Sequence, residues 1–154
     1  MRKAYLTLFY SGLSPKAPGT VGSFVALIMG MFLLNYFTLA NLFMASILIT
    51  IISVKQIDIY EKEVGVHDGK EIVIDELAGM WIALSIAGVS ADNYIMGFVA
   101  FLYFRLFDIW KPSIIGRIDE KVKGGWGVMG DDVVAGLFAG LSTALTYHLI
   151  NTFI

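Results

Sequence analysis

Between Ala17 and Val54 the sequence carries no charged side chain. Its 11 Lys and Arg residues stand instead in three blocks, at 2–16, 55–70 and 105–123. An uninterrupted apolar run gains nothing from water, so either protein or lipid must cover it. Asn35-Tyr36-Phe37-Thr38 divides this run into spans of about 21–36 and 39–54. The basic-free stretch Glu71–Phe104 divides at Gly88-Val89-Ser90-Ala91-Asp92-Asn93, giving spans of about 73–89 and 93–109. After Asp132 the chain continues uncharged to Ile154. Each span approaches or reaches the ~20 residues needed to cross a bilayer. The expectation is an all-α fold, a small multi-pass helical membrane bundle of about five apolar helices, in one domain covering 1–154.

Five crossings place 1–20, 55–72 and 110–131 on one side, and with them every Lys and Arg. That side reads as the cytoplasm, because basic residues are retained there. Of the 13 acidic residues only Asp92 falls on the other side. A composition of 57% hydrophobic and 16% charged residues agrees with a bilayer as solvent, since a soluble domain carries about a quarter charged residues. The net charge of −2 argues against a nucleic-acid partner, and the absence of cysteine excludes thiolate chemistry and disulfides. Ala4–Tyr10 is too short an apolar run for a signal peptide and has no small-residue cleavage site after it.

Carboxylates mark the cytoplasmic helix ends: Asp75-Glu76, Asp108 and Asp131-Asp132. An ionised carboxylate beside hydrocarbon costs a few kcal/mol unless something pairs with it. Asp75-Glu76 read either as a site or as an interfacial pair reaching for water. Helix capping after Gly130 accounts for one of Asp131 and Asp132 but not both. Several oxygen ligands, with no Cys and almost no His, favour Mg²⁺ over softer metals. His67 reads as an ordinary loop residue, and His148 lies on the wrong side. Arg105, Asp108 and Lys111 follow one another at three-residue spacing, so they can share a helical face either as a site or as a salt-bridge ladder. Pro15-Lys16-Ala17-Pro18-Gly19-Thr20-Val21-Gly22-Ser23 and Lys123-Gly124-Gly125-Trp126-Gly127-Val128-Met129-Gly130 each place a lysine and a glycine-rich turn before a helix, where backbone N–H groups can receive an anion. Neither fits a nucleotide signature, which argues against a kinase. Gly136 and Gly140 have the spacing that lets membrane helices approach closely, either within the chain or in a homo-oligomer.

Clustered acids repel a phosphate, and a bound divalent cation reverses that repulsion. The residues therefore point to metal-dependent phosphoryl transfer at a membrane surface. The non-enzyme alternative is a small cation carrier using intramembrane carboxylates. It would place them near the midplane with access from both sides, whereas these sit at one end.

Four of these segments, Ser11–Ser23, Ile72-Val73-Ile74-Asp75-Glu76-Leu77-Ala78-Gly79-Met80, Phe104-Arg105-Leu106-Phe107-Asp108-Ile109-Trp110-Lys111-Pro112 and Lys123–Gly136, together resemble the bacterial phosphatidylglycerophosphatase A family, in the family's order. The resemblance implies a helical Mg²⁺-dependent lipid phosphatase of the inner membrane that converts phosphatidylglycerophosphate to phosphatidylglycerol and phosphate. It implies metal and catalytic roles for Asp75, Glu76, Asp108, Asp131 and Asp132, with Asp68 near the metal. Phosphate would be held by Lys16, Arg105, Lys111 and Lys123. The expected mechanism is in-line attack by a Mg²⁺-activated water, with a phospho-aspartyl intermediate as the alternative mechanism and another lipid phosphotransferase as the alternative enzyme. Ser113-Ile114 depart from the family, which usually has an aromatic and a second proline after Lys-Pro.

Overall fold

The computed structural model describes residues 1–66 and 69–154. Among them are seven α-helices and no strand. They are α1 (Arg2–Leu6), α2 (Pro18–Leu33), α3 (Leu39–Val64), α4 (Ile74–Ala87), α5 (Tyr94–Trp110), α6 (Ile114–Lys121) and α7 (Gly125–Phe153). Local chemistry explains most of the boundaries. Pro18 opens α2, where its missing N–H costs nothing. Thr38 and Asn93 cap α3 and α5 by accepting from the Asn41 and Met96 N–H groups at 3.2 and 3.0 Å. Gly65 and Gly88 close α3 and α4 in the left-handed region.

The short α4 is the axis of the bundle, and α2, α3, α5 and α7 pack around it. Twelve of its 14 residues are buried, which explains an apolar run with no polar face. Trp81 fixes α4 to α2 by donating from Nε1 to the Ala26 carbonyl at 3.0 Å. The α4–α7 contact is the closest. A Cβ on Gly136 would collide with the Gly79 carbonyl and lie 3.1 Å from the Gly79 Cα, and one on Gly140 would lie 2.6 Å from the Ile86 Cβ. The small-residue stripe on α7 is thus used within the chain, against α4. Replacing Gly136 with Leu should separate the two helices at the cost of about 3 kcal/mol, read as a lowered midpoint of thermal unfolding in detergent.

The expected spans correspond to α2, α3, α4, α5 and α7, but only α3 and α7, among the described residues, are long and apolar enough to cross a membrane. The other three have 16, 14 and 17 residues, about 21–26 Å at the helical rise. Both long helices extend beyond their expected limits into the polar blocks. These extensions support one another: Gly125 of α7 abuts the Val54 carbonyl of α3, and its N–H donates to Asp58 Oδ1 at 2.6 Å. Asp58, unremarkable in sequence, caps α7 from another helix.

That cap corrects two expectations. The glycine-rich stretch before the fifth span is not a loop with free N–H groups, because α7 already begins at Gly125. Asp131 and Asp132 consequently lie in its second turn, and capping explains neither. Gly127, Val128 and Met129 are buried, so the segment gains more by packing as helix than by remaining an open turn.

Candidate active site

The N-termini of α2, α4 and α7 and the C-terminus of α5 meet at one end of the bundle. They line a cavity of about 430 Å³ containing Gly19, Asp75, Glu76, Arg105, Lys111 and Asp132. Asp75 and Glu76 form the first turn of α4, where the helix dipole favours negative charge. The chain reaches them through Val73, whose N–H donates to the Leu6 carbonyl at 2.9 Å. Because α4 is the axis, both carboxylates are buried, as are Asp131 and Asp132.

Arg105 on α5 joins the set. Its Nη1 donates to both oxygens of Glu76 at 3.1 Å and also pairs with Asp108 Oδ2. Ser23 of α2 donates from Oγ to Glu76 Oε2 at 2.8 Å, and Gly19 comes so close that a Cβ there would lie 2.7 Å from Glu76 Oε1. Glycine at 19 therefore lets the start of α2 rest on the acid cluster.

Lys111 does not continue the α5 face. It ends the helix in the left-handed region at φ 50°, before Pro112. Its Nζ donates to Asp119 Oδ1 at 2.6 Å and to Asp131 Oδ2 at 3.1 Å, so the expected three-residue ladder through Asp108 is broken. Asp119 lies on α6, the helix that follows the Ser113-Ile114 departure, and sequence spacing offered no sign of its role. Burial would lower the pKa of Lys111, but hydrogen bonds to and attraction from Asp119 and Asp131 reverse this and raise it above its ordinary value. The stabilisation is complete below the ordinary lysine value of about 10.4 and is lost only as pH rises through the higher folded value. Lys111 therefore remains charged at neutral pH.

Five carboxylates thus line the cavity with three cations, of which Arg105 and Lys111 pair with them directly. Glu76, Asp108 and Asp132 each offer an oxygen, and the three oxygens lie within 4.8 Å of one another. Among the described residues, Asp75 Oδ1 and Asp132 Oδ2 are buried without a hydrogen-bond partner. A buried anionic oxygen with no donor is costly, and the surplus negative charge multiplies that cost. An all-oxygen donor set of this kind fits a hard divalent cation such as Mg²⁺.

The remaining expected residues separate. Lys16 and Lys123 are exposed and do not line the cavity, although Lys16 adjoins Ala17, which does. Lys70 lines it, and its place in the second basic block was the only signal available. Asp68 lies outside the described residues.

Fold and cavity together define an all-α protein with a buried carboxylate–guanidinium cluster at converging helix ends. The chain belongs to the phosphatidylglycerophosphatase A family, enzymes that act on a phosphomonoester; the family model matches residues 4–147. It is 38% identical over 142 residues to phosphatidylglycerophosphatase A of Escherichia coli K12, covering 91% of this chain and 80% of that one. Identity to the protein of the same name from Haemophilus influenzae Rd is 37% over 131 residues, 85% and 79% of the two chains. A Bacteroides thetaiotaomicron relative, provisionally named a phosphatidylinositol-3-phosphatase, is 36% identical over 149 residues, 94% and 92% of the two chains. No solved structure matches.

Proposed function

We propose that the protein is a multi-pass enzyme of the bacterial inner membrane that uses Mg²⁺ to hydrolyse phosphatidylglycerophosphate to phosphatidylglycerol and phosphate, with its active face toward the cytoplasm. The observation that carries this reading is the cavity itself, where unpartnered carboxylate oxygens lie beside Arg105 and Lys111 at the end of an apolar bundle.

The membrane setting is supported by the outside of the bundle. Only 28% of the most apolar window of α3 and of α7 is buried, which leaves each with a broad apolar face that lipid would cover. Exposed Phe9, Tyr10, Trp110 and Trp126 surround the charged end, and exposed Tyr36, Phe37 and Tyr94 the opposite one, in the manner of interfacial aromatic belts. The basic blocks lie at the charged end, which supports its cytoplasmic orientation.

Glu76, Asp108 and Asp132 would hold the cation, with Asp75 beside them. When bound, it neutralises the acids, polarises a phosphoryl oxygen and lowers the pKa of a bound water. Arg105 is held by Glu76 and Asp108 and retains a buried, unpartnered Nε, whose N–H would donate to a phosphoryl oxygen. Its fixed orientation stabilises developing charge without reorganisation. Lys111 adds a second positive charge and, through Asp131, links the site to α7. Asp75 offers its unpaired Oδ1 as proton acceptor for the attacking water. Lys16 would meet phosphate at the rim.

Purified protein in detergent should release phosphate from phosphatidylglycerophosphate with Mg²⁺ and lose the activity in EDTA. Faster release from phosphatidylinositol 3-phosphate would assign the Bacteroides relative's substrate instead. Release from neither would overturn the proposal.

A further inference from the structure

Away from the charged end, α2 and α5 enclose a second, apolar cavity of about 500 Å³. Leu27 and Met31, each 7% exposed, form its floor. Phe24, Ile28 and Phe32 rise from α2 at four-residue spacing and Phe98 rises from α5, leaving walls that are wholly aliphatic and aromatic yet exposed. Asn35 and Tyr94 close the far end; the Asn35 amide donates to the Met31 and Phe32 carbonyls at 3.0 and 3.2 Å.

The near end adjoins the active site along both helices. On α2, Phe24 directly follows Ser23, whose hydroxyl is bonded to Glu76. On α5, Phe101 meets Phe24 edge-on at 5.9 Å and lies one turn before Arg105. From Phe24 to its end at Leu33, α2 rises about 14 Å, and Asn35 in the following turn brings the groove close to half of a ~30 Å hydrocarbon core. The groove is therefore as long as one leaflet, with the charged centre at its head and polar groups at its foot.

We infer that this groove holds an acyl chain of the substrate, with the phosphorylated head at Arg105 and the methyl end beside Tyr94. The inference rests on the lipid-phosphatase reading above. The same two helices carry both the headgroup site and the groove. A lipid with its phosphate in the cavity is thereby guided to lay one chain between them, whereas a bulk lipid would find the groove without that tether.

The test compares palmitoyl-chain with hexanoyl-chain phosphatidylglycerophosphate on the full-length protein in mixed micelles. Ile28→Trp, midway along the groove, should lower the long-to-short ratio of kcat/KM by about tenfold, since small changes in an apolar pocket are worth tenfold or more. Ile52→Trp, on the exposed apolar face of α3, should leave that ratio unchanged. An unchanged ratio in Ile28→Trp, or an equal fall in Ile52→Trp, overturns the proposal. If Ile28→Trp is inactive on both substrates, Phe98→Trp narrows the groove from the opposite wall and the same ratio decides.

Occupancy can also be read without turnover, in EDTA. The indole introduced by Tyr94→Trp should be quenched more strongly by phosphatidylglycerophosphate with brominated chains than by an equal fraction of brominated phosphatidylcholine. Equal quenching overturns the groove. A wild-type protein that releases phosphate from neither chain length refutes the phosphatase reading instead, and the quenching still judges the groove.

Discussion

Asp132→Asn should reduce phosphate release by about a thousandfold while leaving the fold intact. Asp132 Oδ2 is buried without a partner among the described residues, and the side chain supplies one corner of the oxygen triad with Glu76 and Asp108. Stabilisation of phosphoryl charge by a bound cation is worth several kcal/mol, and about 4 kcal/mol corresponds to a factor of 10³. Affinity for Mn²⁺, followed by electron paramagnetic resonance on the purified protein, should fall with the rate. In EDTA the variant should unfold at a higher temperature than wild type, because a buried, uncompensated charge has been removed. A purely structural carboxylate would show the reverse, with lost stability and retained activity. Full activity with undiminished Mn²⁺ binding would remove Asp132 from the site.

Arg105→Ala should destabilise the protein by about 3–5 kcal/mol and abolish turnover. The Arg105 side chain is only 14% exposed and connects Glu76 with Asp108, so its loss leaves two carboxylates facing each other in a poorly hydrated setting. Adding Glu76→Gln to Arg105→Ala should recover part of the thermal stability by removing one of the opposed charges, without restoring activity. Arg105→Lys should be intermediate, since an ammonium keeps a positive charge between the two acids but lacks the Nε–H that would donate to a phosphoryl oxygen. A thermal midpoint unaltered by Arg105→Ala would show that the pairings contribute nothing to the fold.

These predictions differ in how far they could be anticipated. Asp75, Glu76, Asp108, Asp131 and Asp132 were legible because a charge beside an apolar run is costly, and that cost can be read along the chain. Arg105 and Asp108 were legible as an i,i+3 pair. Lys111 was legible as a residue of this cavity but not in its pairing: its left-handed backbone before Pro112 accompanies a bond to Asp119, a partner without a local signature. The glycine-rich approach to α7 misled because glycine permits an open turn and a tightly packed helix alike. Gly125 against Val54 and Gly136 against Gly79 select the packed helix.

The order and spacing of charges along the chain were sufficient to predict an all-helical fold and the acids that gather in one cavity. Hydropathy and charge are properties of each residue, so their pattern survives in one dimension. The assembly of Glu76, Asp108 and Asp132 into a single oxygen cluster, the unequal lengths of α3 and α7 against α4, and the groove beside Arg105 came only from packing. They depend on how closely helix backbones approach and where each helix stops, and distant residues such as Asp58 and Gly79 set both.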